Sequence, residues 1–305
     1  MGSSHFDYPQ DLPGLASWAQ HPTTGGWDKN QYFLSGVLGA LDAEGEWFID
    51  ADGYLYFYPP SSGPSGSCQP PSQEIALKVR DHALLYSGGS QATFNYTFLD
   101  LELLGATFSL ATCNTCAMVN VNLLYPTYNR EILEANAGPA KGATAATTLA
   151  GSNNVIRNLT LAYTNNNGLR ISGADTLLDN CLISYTDWVG TLLYAPLAAS
   201  GNGIRVTRCT VHDFGNAGVI TNIPNSPPAP KGQPQKPPLP MAHRHLEVAH
   251  THIYRGGLVG KDTALLYTGG WNAAGLEWHH NWIHSGSEKC GCGGGGGGGK
   301  MVHLG

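Results

Sequence analysis

The chain has 305 residues, of which 40 are glycine and 19 proline, and only 12% are charged; this balance suits a turn-rich all-β protein and argues against a helical bundle. A formal net charge of -6 leaves no basic footprint for a phosphate backbone, which excludes nucleic acid as an expected partner. No stretch approaches the roughly 20 apolar residues of a membrane span, and the start, Met1-Gly2-Ser3-Ser4-His5-Phe6, has neither the basic nor the apolar region of a signal peptide.

Residues 1–75 form an entry segment. Glu46-Trp47-Phe48-Ile49-Asp50 and Tyr54-Leu55-Tyr56-Phe57-Tyr58 flank Ala51-Asp52-Gly53, and aromatic arms around a glycine-bearing turn predict a β-hairpin. Pro59-Pro60-Ser61-Ser62-Gly63-Pro64 ends it, because proline cannot donate to a ladder. An uncovered solenoid end exposes strand edges and core, so the hairpin is expected to serve as an N-terminal cap.

Residues 76–288 carry a repeat. Its clear copies are Val155–Leu161, Leu177–Ile183, Ile204–Val211, Leu246–Ile253 and Leu276–Ile283. Their uneven spacing and β-branched residues, without helical periodicity, mark a solenoid of short strands. Inward residues recur at 156, 178, 206, 248 and 278, and again at 161, 183, 211, 253 and 283. Between them lies a bend at Asn158, Asn180, Arg208, His250 and His280; asparagine suits it because it satisfies turn backbone and tolerates unusual φ. A third strand follows in each coil, at Gly168–Ile171, Gly190–Leu193, Gly218–Ile220 and Ala264–Tyr267. Runs 83–86 and 98–103 read as earlier, less regular coils.

A Pro-rich insertion at 221–240 interrupts the solenoid as an extended loop. Residues 289–305 form a Gly-rich tail with no capping element, expected to be disordered or truncated. Seven cysteines leave one over if the rest pair. Cys181 and Cys209 share a place in successive copies, which predicts two stacked, buried thiols. Cys113, Cys116, Cys290 and Cys292 offer four thiols, but Cys290-Gly291-Cys292 lacks the usual two-residue spacer, so zinc is not expected.

The three-sided coil resembles the right-handed parallel β-helix of the pectin-lyase-like superfamily, over roughly residues 80–288. The hairpin, Leu124-Tyr125-Pro126-Thr127-Tyr128-Asn129-Arg130-Glu131 and His279-His280-Asn281-Trp282-Ile283-His284 are similar to β-helix proteins grouped with glycoside hydrolases. The resemblance implies an all-β fold, a right-handed parallel β-helix with an N-terminal β-hairpin cap. No catalytic motif matches residue by residue, so no family site is carried over.

Stacked coils place equivalent residues about 4.8 Å apart, which makes a linear groove suited to an extended polysaccharide or oligosaccharide. Loops entering the third strand carry acids at Asp187, Asp213 and Asp262. Acids one coil apart can reach the roughly 5–9 Å separations of glycosidases. Asp213 and Asp262 are the preferred acid–base pair, with Asp187 and Glu277 in reserve. Trp188, Tyr267 and Trp271 are the expected sugar platforms.

A uronate lyase is the main alternative. Arg170, Arg255 and Lys261 are then the expected cations, and calcium is expected only under this alternative; the dense acid cluster that calcium needs is not visible. A third possibility is a non-catalytic glycan-binding scaffold. No resident cofactor or metal is expected. His250 and His280, stacked at the bend, read as a hydrogen-bonded ladder in preference to a metal site. An extracellular or cell-wall location is the expectation, although no signal peptide is visible.

Overall fold

The computed structural model describes residues 37–59, 75–86, 95–110, 112–127, 147–165, 167–194, 203–222, 245–258, 264–268, 276–286 and 302–304. The chain divides into two compact units, Met1–Ala76 and Leu77–Gly305.

In the first unit, Trp47–Ile49 pairs antiparallel with Leu55–Phe57, as the aromatic arms predict. Asp50 closes the turn: its Oδ1 accepts the backbone N–H of Asp52 at 3.0 Å and of Tyr54 at 2.8 Å. Gly53 takes φ +87° there, a conformation that a Cβ would strain.

The second unit is a three-sided parallel β-helix. One face stacks Thr176–Asp179, Ile204–Thr207, Leu246–Ala249 and Leu276–His279. The second stacks Leu182–Thr186, Thr210–Phe214, His252–Gly256 and Asn281–Gly286. The longer strands Thr97–Leu104, Ala117–Leu124 and Val155–Thr164 turn the corner and serve both faces. The third face runs from His82–Tyr86 through Thr107–Leu110, Thr147–Ala150, Leu169–Ser172, Thr191–Tyr194 and Val219–Asn222 to Leu266–Thr268. Among the described residues, no helix is long and apolar enough to cross a membrane.

Register follows the inward residues. Ile156 pairs with Leu178, then Val206, Val248 and Trp278. Leu161 pairs with Ile183, then Val211, Ile253 and Ile283. All but Trp278 are buried, each contributing about 1.5–3 kcal/mol by leaving water. A slip of one residue would turn this entire set outward, so the pattern fixes the register.

Among the described residues the corner between the first two faces is left-handed in each coil: Asp100, Asn120, Asn158, Asn180, Arg208, His250 and His280 have φ between 51° and 56°. The asparagines form a ladder, with Asn158 Nδ2 donating to Asn120 Oδ1 at 2.9 Å and Asn180 Nδ2 to Asn158 Oδ1 at 2.8 Å. At Arg208 the ladder stops. Its guanidinium instead donates to Asp179, at 2.8 Å and 2.6 Å, and Arg157 reaches the same carboxylate at 3.0 Å.

Cys181 and Cys209 are buried and free, as their stacked positions predict. Cys113 and Cys116 form a disulfide, which removes both from any thiolate set. Cys290 and Cys292 lie outside the described residues. Two boundaries are corrected. Thr221 and Asn222 continue the third-face strand, because they pair with Leu193 and Tyr194, so the Pro-rich insertion begins after them. Val302–Leu304 is a strand, pairing antiparallel with Asn281–Gly286 and satisfying part of that edge.

Candidate functional site

A second left-handed corner ends the second face, and it builds the site. Register aligns Tyr125, Tyr163, Tyr185, Asp213, Arg255 and Ser285 in one column, with φ of 51°, 62°, 52°, 54°, 49° and 55°. Left-handed φ is uncommon for any residue with a Cβ and costs on the order of 1–3 kcal/mol for a bulky one. The Asn corner meets the same backbone demand with the residue that tolerates it best. The tyrosines are therefore not explained by the backbone.

What they gain is stacking. The rings of Tyr125 and Tyr163 lie 4.8 Å apart at 13°, and those of Tyr163 and Tyr185 lie 4.9 Å apart at 10°. All three remain about half exposed, at 53%, 44% and 45%, so the ladder presents a flat aromatic strip to solvent. A parallel column one residue earlier continues the aromatic surface: His212 stacks on Tyr254 at 4.8 Å, and Tyr254 on His284 at 5.4 Å.

The strip lines a cavity of about 460 Å³ that also takes in Asp187, Asp213 and Leu258. Asp187 follows the strand Leu182–Thr186, and Asp213 stands in the next coil, in register with Tyr185. The two acids therefore sit in adjacent coils, about 4.8 Å apart along the axis and offset by two residues along the chain.

Their environments differ. Desolvation by the groove raises the Asp187 carboxyl above the usual aspartate range; solvent still reaches this exposed residue and screens the effect. Burial pushes Asp213 up as well, but hydrogen bonds and charge from Arg255 and His212 outweigh it, and its carboxyl is held below that range. His212 Nδ1 lies 2.5 Å from Asp213 Oδ2, and Arg255 pairs with the same oxygen.

No protein-family model, no curated protein and no solved structure matches this chain.

Of the residues expected from the sequence, Asp187 and Asp213 are brought together. Asp262, Lys261 and Trp271 lie outside the described residues. Glu277 is not in the groove: it occupies the first face, in register with Glu247, with His245 Nδ1 at 3.7 Å. Arg170 and Tyr267 point to another face, since their strands belong to the third stack, where Arg170 pairs with Thr148 and Leu192 and Tyr267 with Ile220. Arg255 reaches the site, engaged by Asp213 and lying 5.5 Å from the centre of the Tyr254 ring. Trp188 is half-buried beside Asp187, its carbonyl accepting the N–H of Asn216 at 2.7 Å. Sequence reasoning missed Tyr125, Tyr163, Tyr185, His212 and Tyr254. The signal was present, because each column tyrosine falls two residues after an inward Leu or Ile, and Asp213 and Arg255 likewise fall two residues after the inward Val211 and Ile253.

Proposed function

We propose that this chain is a glycoside hydrolase acting on a cell-wall or matrix polysaccharide, with Asp187 as proton donor and Asp213 as the ionised base or nucleophile. One observation carries it: two carboxyls in one cleft have pKa values pushed in opposite directions, beside a strip of stacked tyrosines. Two such acids divide the labour of glycoside cleavage, one protonating the leaving oxygen and the other activating water or attacking the sugar. Tyr125, Tyr163 and Tyr185 would hold sugar rings against their faces, and the open column suits a chain in preference to a compact metabolite. An extracellular site of action belongs to the same proposal, and the Cys113–Cys116 disulfide supports an oxidising compartment.

The uronate lyase alternative would draw its cation from Arg255, but that guanidinium is already committed to Asp213. A non-catalytic glycan scaffold keeps the tyrosine strip and makes no use of opposed carboxyls.

Screening against wall and matrix polysaccharides separates the three. A hydrolase releases reducing ends without ultraviolet absorption, and either Asp187→Asn or Asp213→Asn abolishes release while retaining binding. A lyase releases unsaturated, absorbing products. Binding without any product, equal in wild type and both variants, supports the scaffold and ends the hydrolase proposal.

A further inference from the structure

A second cluster lies away from the groove, where the Asn corner reaches its last two coils. There the column residue becomes His250 and then His280, whose rings stack at 5.0 Å. His279, the neighbour of His280, stands edge-on to both, at 5.9 Å from His250 and 5.0 Å from His280. One ligand nitrogen from each of the three rings lies within 4.8 Å of the other two.

Glu247 orients this cluster. Its Oε1 lies 3.2 Å from His279 Nε2, and Arg205 holds the other carboxylate oxygen at 2.6 Å. A neutral His279 that donates from Nε2 to this carboxylate carries only a lone pair at Nδ1. That Nδ1 faces His280 Nδ1 at 2.8 Å. A carboxylate behind an imidazole, with the free nitrogen turned to further imidazoles, is the usual outer shell of a metal-binding histidine.

We infer that His250, His279 and His280 form a binding site for a borderline divalent d-block cation, with Glu247 as the positioning carboxylate behind His279. Three neutral imidazoles suit Zn²⁺ and bind Cu²⁺ more tightly, whereas calcium and magnesium prefer oxygen. Ligand nitrogens about 2.0–2.1 Å from Zn²⁺ in a tetrahedron lie about 3.3 Å from one another. Small rotations of the exposed His250 and His280 side chains span the difference. With three protein ligands, a fourth position is left for water or an exogenous ligand.

The column itself supplies a conservative variant. Asparagine occupies this corner at 120, 158 and 180 with the same φ, so His250→Asn/His280→Asn preserves the backbone while removing two ligands. Calorimetric titration of the chelator-treated full chain with Zn²⁺ should reveal one equivalent whose Kd weakens more than tenfold in the double variant. Glu247→Gln should weaken it by roughly 10–100-fold, and Zn²⁺ should raise the Tm of wild type but not of the double variant. Co²⁺ in the same site should give a spectrum without sulfur-to-metal charge transfer. His284→Gln, which removes the separate His252–His284 pair (Nε2 to Nε2, 2.8 Å), should leave that equivalent intact. Zn²⁺ bound with equal affinity and stoichiometry by the double variant overturns the site, as does an absence of binding to wild type at millimolar Zn²⁺.

Discussion

Asp213 and Arg255 occupy the same corner position in consecutive coils, and their side chains pair along the solenoid axis. The pairing holds a carboxylate ionised at the edge of an aromatic cleft, where burial alone would raise its pKa.

Arg255→Gln removes the main opposing influence, so the Asp213 pKa rises. If Asp213 acts as the base, the acidic limb of the activity profile moves to higher pH and the bell narrows, since Asp187, raised by desolvation, governs the basic limb. Carboxyl titration by NMR checks the first statement without a substrate. An unmoved Asp213 would separate this pair from the chemistry.

Asp179 is 1% exposed, and its two arginines come from neighbouring positions in the stack. Desolvation raises its carboxyl, and the Arg208 and Arg157 bonds outweigh that and lower it. A folded-state pKa below the unfolded value near 3.9 means that stability is fully present above that value and is lost as pH falls through the folded pKa. Wild-type unfolding free energy should therefore fall below about pH 4. Asp179→Asn should cost about 1–3 kcal/mol at pH 7 and flatten that acid dependence. Urea denaturation at pH 7 and pH 3 measures both.

Tyr185→Asn exchanges a strained tyrosine for the residue used at the other corner. Relief of left-handed strain, about 1–3 kcal/mol, offsets the loss of two ring contacts, to Tyr163 and to His212, of about 0.5–1.5 kcal/mol each, so Tm should change little. Glycan affinity should fall by up to about tenfold, because a ring contact of that size is lost. A fall in Tm with unchanged glycan binding would assign the ladder to stability alone.

Gly190 admits no side chain: a Cβ there would lie 2.6 Å from Gly218 O and 2.6 Å from Val211 Cγ1. The first obstacle is backbone from the next coil, so it cannot rotate away. Gly190→Ala should destabilise by about 1–3 kcal/mol, and chemical denaturation checks it. An unchanged midpoint would mean the coils separate more freely than their ladder implies.

The inward columns through Ile156 and Leu161, and the corner at Asn158 and Asn180, were legible in the sequence. A buried face and a left-handed bend each restrict residue type locally, so five copies reveal both. The cleft was legible only in part. Asp187 and Asp213 stood out as acids near strand ends, but Tyr125, Tyr163 and Tyr185 did not, since residue preference disfavours tyrosine at a left-handed bend. Their value comes from neighbours in other coils.

By itself, then, the sequence determined the three-sided coil, its inward residues and its asparagine corner, because those choices depend on burial and φ at single positions. Tertiary structure decided which acid keeps company with which. Glu277 went to the first face, inside the strand Leu276–His279, and Asp187 to the groove, after the strand Leu182–Thr186, because loops of unequal length separate the copies and only stacking brings them back into register. The same stacking set His279 against His250, one coil away, and placed Arg255 on Asp213; axial neighbours are about 4.8 Å apart in space however far apart they are along the chain.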